Sequence, residues 1–412
     1  MKVLFVDVTQ RNYYAFQWHA IFFALTVTFT EINTVLPSLI VKVGGGTIQI
    51  GLLTAIMVGT PIIGQLLFAS YLHMQPRKRG FLLLGVGLRV TALATVALIL
   101  FAADTIAPQT LISLVFVLMF VFALSGTFAG VSYTDILGKS LAVEQRSRFF
   151  VSRQVLTSVA FLISAPVSRW ILGYYAYPYN YVWMFGLAAG LLFIAFWGFW
   201  AIDEPEVQPS REAFSFLQVL RAIPQHLRDN PPLLRYILMT NLTGFGLTLM
   251  PFYVAYASQH YGLTGEQIGN YLMVQIVGMG LSNFIWVRVV KKFGFRGVIH
   301  GCIICGTLLP ILVLALSGMS LGVFLTVFFL MGIAISARKI AFEGLLIEIT
   351  TNTNRALHKG IVGATSLTSA LFPLVAGGLI LWVGYVPVFL LVSILVAAAW
   401  FSVSGIVSTS HV

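Results

Sequence analysis

Apolar runs of roughly twenty residues recur through this chain from about residue 15 to residue 405, each cut off from the next by a short polar break. The hydrocarbon core of a bilayer is about 30 Å thick, and a helix needs about that many apolar residues to cross it. A water-soluble fold could not cover such a surface. Of the 412 residues, 58% are hydrophobic and 9% charged, against about 25% charged in an ordinary soluble domain. Spans are predicted at 15–40, 47–72, 80–102, 109–134, 150–173, 181–202, 234–257, 267–290, 298–317, 321–346, 359–381 and 385–405. The chain therefore reads as an all-α membrane protein of about twelve transmembrane helices.

The net charge of +11 does not mark a nucleic-acid binder, because the basic residues sit in breaks between apolar runs and not on one water-facing patch. Positive charge resists translocation, so the basic breaks mark the cytosolic face. Of the 24 Lys and Arg residues, all except Lys42, Arg89 and Arg169 fall on one side. Both termini are then cytoplasmic and the expected location is the plasma (inner) membrane. On the opposite side Trp170, Tyr174, Tyr175, Tyr177, Tyr179, Tyr181 and Trp183 form an interfacial aromatic belt.

The longest break follows the sixth span and divides the chain into bundles at 1–202 and 233–412, joined by a cytoplasmic linker at 203–232. Phe214, Leu217, Leu220 and Leu227 recur there at helical spacing, as suits a helix in the headgroup layer or an ordinary amphipathic linker. The bundles repeat each other. Gln49-Ile50-Gly51 opens the second span and Gln267-Ile268-Gly269 the eighth, and the same offset lays Lys78 on Arg296. Asp135 then faces Glu343, and Pro166 faces Pro373. A parallel repeat of six spans is one way secondary transporters are built.

With these features the chain resembles the major facilitator superfamily over nearly its whole length. That family's loop motif, roughly Gly, three residues, Asp-Arg-x-Gly-x-Arg-Arg, survives as Arg77-Lys78-Arg79 after the second span. After the eighth span it survives as Lys292-Phe293-Gly294-Phe295-Arg296. Pro76 replaces the usual Gly in the first copy, and His73 and Lys291 replace the acid, so the family's charged latch lacks its usual carboxylate. These residues are candidate gating loops. Asp135, Lys139, Arg146 and Arg148 are similar to the family's acidic-then-Arg loop, with Glu343 and Arg355 as a thinner copy. The resemblance implies two pseudo-symmetric six-helix bundles, with the first, fourth, seventh and tenth helices lining a central cavity.

A charge inside a span costs about 2.5 kcal/mol or more on insertion scales, so intramembrane ionisable residues are functional candidates by default. Glu31 in the first span is the clearest. The resemblance places it at the solute path, where a carboxylate could bind and release a proton. Its structural alternative is an ion pair with Arg169. Arg89, in mid-span on the third helix, is expected to be bonded to carbonyls or a carboxylate. Arg338 either faces the cavity, where its fork suits a carboxylate, phosphate or sulfonate, or snorkels as Lys339 does. Asn33, Asn241, Thr243, Tyr253 and Tyr256 offer neutral hydrogen bonds to a solute or between helices. Asp135 and Glu343 are expected as buried charge partners.

These observations point to a secondary transporter of a small organic solute, coupled to protons and working as a monomer by alternating access. The alternatives are a lipid or amphipath transporter and a transport-dead sensor. No Gly-rich nucleotide loop, metal-ligand grouping or catalytic constellation stands out, so no cofactor and no enzyme activity is expected. Cys302 and Cys305 read as small residues at a helix contact.

Overall fold

The computed structural model describes residues 8–73, 75–141, 143–205, 216–350 and 355–403, and every regular element among them is helical. In chain order these are α1 (Val8–Phe29), α2 (Val35–Lys42), α3 (Thr47–His73), α4 (Arg79–Phe101), α5 (Pro108–Ser140), α6 (Val143–Tyr174), α7 (Tyr179–Trp200) and α8 (Phe216–Asp229). There follow α9 (Pro231–Leu249), α10 (Pro251–Tyr261), α11 (Gly265–Leu316), α12 (Leu321–Glu348), α13 (Arg355–Thr365), α14 (Leu367–Val383), α15 (Tyr385–Ala398) and α16 (Trp400–Val403).

Among the described residues, 10 helical segments are long and apolar enough to cross a membrane. Two differences separate that number from the twelve spans of the sequence. The 52-residue α11 carries two predicted spans, which meet at Gly294, where φ is 66° and the backbone leaves helical geometry. Only glycine takes up that left-handed conformation without strain, so the motif glycine is the kink. The first predicted span is broken between Phe29 and Val35 into α1 and α2. The early turns of α1 also carry Gln10, Arg11, Asn12, Gln17 and His19, which lower its hydropathy.

The repeat extends to local geometry. Gln267 Oε1 accepts from the Thr264 N–H at 2.7 Å, half of a capping box that starts α11. Gln49 Oε1 accepts from the Gly46 N–H at 3.0 Å at the start of α3. Five residues before each glutamine a glycine adopts positive φ, Gly44 at 93° and Gly262 at 75°. The first predicted span is interrupted at Thr30–Thr34, whereas at the matching place in the seventh α9 passes into α10 through Met250, whose backbone stays helical, with Pro251 following.

Contacts divide the chain into two compact units, 1–31 with 63–213, and 32–62 with 214–412. The break near 213 lies inside the expected linker, whereas residues 32–62, assigned to the first bundle by sequence, pack within the second unit. Backbone proximity explains it. A Cβ on Gly51 would lie 2.2 Å from the Pro373 carbonyl oxygen, and Thr47 Oγ1 donates to the Gly377 carbonyl at 2.9 Å. In the first unit α4 packs on α5 and α7, and α1 on α6 and α7. In the second, α11 runs along α12, α9 packs on α14 and α15, and α2 on α10. The linker helix α8 docks on α13 and α9; Phe214 lies outside the described residues.

Candidate functional site

The basic-loop charges of the first unit are organised by Asp135, near the end of α5. Its carboxylate is 2.7 Å from Lys78 Nζ and 2.6 Å from Lys139 Nζ, the latter one helical turn away. Lys78 is only 3% exposed, so its charge depends on this partner. Glu204, just after α7, completes the cluster by accepting from the Lys78 and Arg79 backbone N–H groups at the start of α4. Arg79 also donates to the Trp200 carbonyl, and Arg146 donates to Leu141 and Gly138 carbonyls at the end of α5. The motif acid missing from the loop is thus replaced in space by Asp135 and Glu204. The sequence indicated Asp135 as a charge partner and did not indicate Glu204.

The second copy is built differently. Lys292 is exposed with Nζ over the Phe293 ring at 5.1 Å, and Arg296 is half-buried without an ion pair among the described residues. Glu343 is exposed and makes no ion pair among the described residues, so it is not the buried partner expected from Asp135's repeat position. It lies on the exposed side of α12, away from the face that buries Ala341 and Phe342.

Arg338 sits half-buried in the second unit and is held by α9. It donates to Thr243 Oγ1 and, at 2.9 Å, to the Thr240 carbonyl, with its guanidinium 4.6 Å from the Phe342 ring centroid. Asn241, also on α9, donates to the Ile237 carbonyl at 3.0 Å. Tyr253 is fully buried, packed edge-on to Phe389 at 5.4 Å. It belongs to the packed interior of the second unit in this conformation, not to an open solute path. Tyr256 donates to Ser317 Oγ at 3.2 Å.

Glu31 lies half-buried in the non-helical break between α1 and α2, with Asn33 buried two residues on. Arg169 is exposed and forms no ion pair among the described residues, so the Glu31–Arg169 pair is absent from this conformation. Glu31 sits outside helical geometry at the break, while α6 leaves Arg169 on its exposed face.

Arg89 also departs from expectation. Among the described residues it meets no carbonyl or carboxylate but two aromatic faces, Phe122 at 4.2 Å and Phe23 at 4.9 Å, and its Nε is buried without a hydrogen-bond partner. Gly126 lies alongside the guanidinium, where a Cβ would sit 3.4 Å from Nε, in ordinary van der Waals contact. Beside it on α1, His19 stacks on Phe199 at 4.1 Å and stands 5.7 Å from the Tyr133 ring. Arg153 on α6 reaches over Tyr133 at 5.8 Å, and both arginines act electrostatically on His19. The sequence did not indicate His19, Tyr133 or this use of Arg153.

The family model of the Major Facilitator Superfamily matches residues 18–255 and 236–408. Among curated proteins none matches the chain. Solved structures share the fold at low identity. The chain is similar to a peptide transporter POT in complex with sulfate, with a TM-score of 0.69 and 11% identity over 96% of this chain and 94% of that one. It is similar to a nucleoside transporter NupG variant, at 0.67 and 11% over 97% and 100%. A D-xylose-proton symporter gives 0.64 and 14% over 98% and 97%.

Proposed function

Since the chain belongs to the major facilitator superfamily and is a multi-pass secondary transporter of small solutes, we propose that it moves a small organic solute by alternating access with proton coupling through Glu31. The observation that carries this reading is the break in the first span at Thr30–Thr34. A break in a spanning helix is where secondary transporters build solute and ion sites, because freed backbone groups and polar side chains meet there. Glu31 lies within that break.

The cytoplasmic face is the one bearing the Lys78 and Arg296 loops, with both termini on it, in the plasma (inner) membrane and in a monomer. Support comes from the placement of nearly all basic residues on one side of the spans. Arg338, Asn241 and Asn33 are the further candidates for the solute and proton path.

The test is solute counterflow and proton movement in proteoliposomes. Solute-driven proton uptake that is lost in Glu31→Gln, with counterflow retained, supports coupling through this carboxylate. Transport by the wild type that ignores a pH gradient and is unchanged by Glu31→Gln refutes it.

A further inference from the structure

The half-buried interior of the first unit gathers two arginines and an imidazole with no anion paired to them among the described residues. Arg153 lies over the Tyr133 ring, His19 meets Tyr133 on one side and stacks on Phe23 on the other, and Arg89 lies against Phe23 and Phe122. None of the three forms an ion pair among the described residues. The neighbouring carboxylates are engaged elsewhere: Asp135 with Lys78 and Lys139, Asp203 with Arg11, and Glu204 with the start of α4. Buried guanidinium charge without a counter-ion is costly, and aromatic faces repay only part of it.

Two polar atoms here also lack partners. Arg89 Nε and the Tyr133 hydroxyl are both buried without a hydrogen bond among the described residues. Two donors and an imidazole on three different helices then await an acceptor that the described residues do not provide. The surrounding walls are flat and apolar, made by Phe23, Phe122 and Phe199.

The geometry points to an organic-anion site in the first unit, in which Arg89, Arg153, His19 and Tyr133 hold the carboxylate of a small solute whose flat apolar body lies against Phe23, Phe122 and Phe199. A carboxylate matches the guanidinium fork with two parallel acceptors. A compact inorganic anion would satisfy the donors and leave the rings without contact, so an aryl carboxylate is the favoured class. This inference rests on the transport reading only in taking the bound anion to be the solute.

The test is thermal stabilisation of the purified full-length protein by two matched sets, benzoate, benzamide and benzylamine, and 2-naphthoate, 2-naphthamide and 2-naphthylmethylamine, with inorganic phosphate alongside. A carboxylate from at least one set raises the apparent Tm in a saturable way, and its amide, its amine and phosphate do not. Arg89→Gln and Arg153→Gln each weaken that carboxylate's apparent affinity by about tenfold or more, as for loss of a charge-assisted contact. Arg89→Lys, which keeps the charge and loses the fork, falls between. The exposed Arg288→Gln is the control that leaves binding unchanged, and size-exclusion profiles identify any variant that fails to fold. Tyr133→Phe, which removes only a hydroxyl, weakens binding without altering the profile.

Stabilisation by the amide equal to the acid, a carboxylate shift that survives Arg89→Gln and Arg153→Gln together, or no shift with either carboxylate overturns the site. Counterflow of the labelled carboxylate in proteoliposomes separates the two readings. Binding without flux refutes transport and leaves the site; flux of a neutral solute indifferent to Arg89→Gln refutes the site and leaves transport.

Discussion

Both carboxylate oxygens of Glu204 accept from the backbone N–H of Lys78, at 2.9 and 2.8 Å. One of them also accepts from the Arg79 N–H at 2.7 Å, so a residue after α7 occupies the orphan donors that begin α4. A negative charge at a helix start interacts favourably with the helix dipole as well. Replacing Glu204 by Ala should lower stability by about 2–3 kcal/mol, and by Gln less, because the amide oxygen still accepts one bond. Apparent Tm in detergent reports the order wild type, Gln, Ala; equal values for all three would remove Glu204 from this role.

Asp135 holds two ammonium groups, one of them on the almost fully buried Lys78. Asp135→Asn leaves that charge without its partner and should cost about 3–5 kcal/mol. The Asp135→Asn, Lys78→Met double variant should recover much of the loss, since no unpaired buried charge remains. A thermal-stability cycle measures the coupling. Additive single effects would contradict the pairing.

Gly278 and Gly332 let α11 and α12 touch through their backbones. A Cβ on Gly332 would lie 2.0 Å from the Gln275 carbonyl oxygen, and one on Gly278 would lie 2.3 Å from the Phe329 carbonyl oxygen. Small residues are what permit such approach between spanning helices. Gly332→Ala should therefore cost at least the upper part of the roughly 1–3 kcal/mol typical of overpacking. The variant's yield of monodisperse protein and its Tm should both fall. A wild-type Tm would show that the helices separate freely.

His358, on α13 outside the spans, is 3% exposed and its Nδ1 has no hydrogen-bond partner among the described residues. Burial lowers its pKa below the ordinary 6.5, and the nearby His226 of α8, with ring centroids 6.2 Å apart, lowers it further. The unfolded chain then binds more protons than the folded one between that lowered value and 6.5, so stability rises with pH across the window. The contribution is complete above pH 6.5 and is lost as the pH falls through the lowered value. Hydrogen exchange along α8 and α13 should accelerate as the pH drops from 7.5 to 5, after correction for intrinsic rates. His358→Phe should flatten the dependence; an unchanged profile would rule out His358 as its origin.

The sequence by itself determined the class of fold, because hydropathy is a sum over neighbouring residues and a bilayer demands long local sums. It also determined the repeat: Gln49 and Gln267 were paired by spacing, and both cap their helices in the same way. The Arg77-Lys78-Arg79 and Lys292-to-Arg296 motifs were legible as sequence patterns, and the structure adds that Gly294 is the turning point of the second. What only the tertiary structure decided was the partner of each charge. Lys78 and Glu204 are 126 residues apart, and no local pattern joins them. Arg89 rests on phenylalanines from two other helices, Glu343 turns outward, and residues 32–62 pack within the second unit. Pairing a charge in an apolar medium depends on which helix turns are brought face to face, and that is set by packing between distant segments, not by the composition of either one.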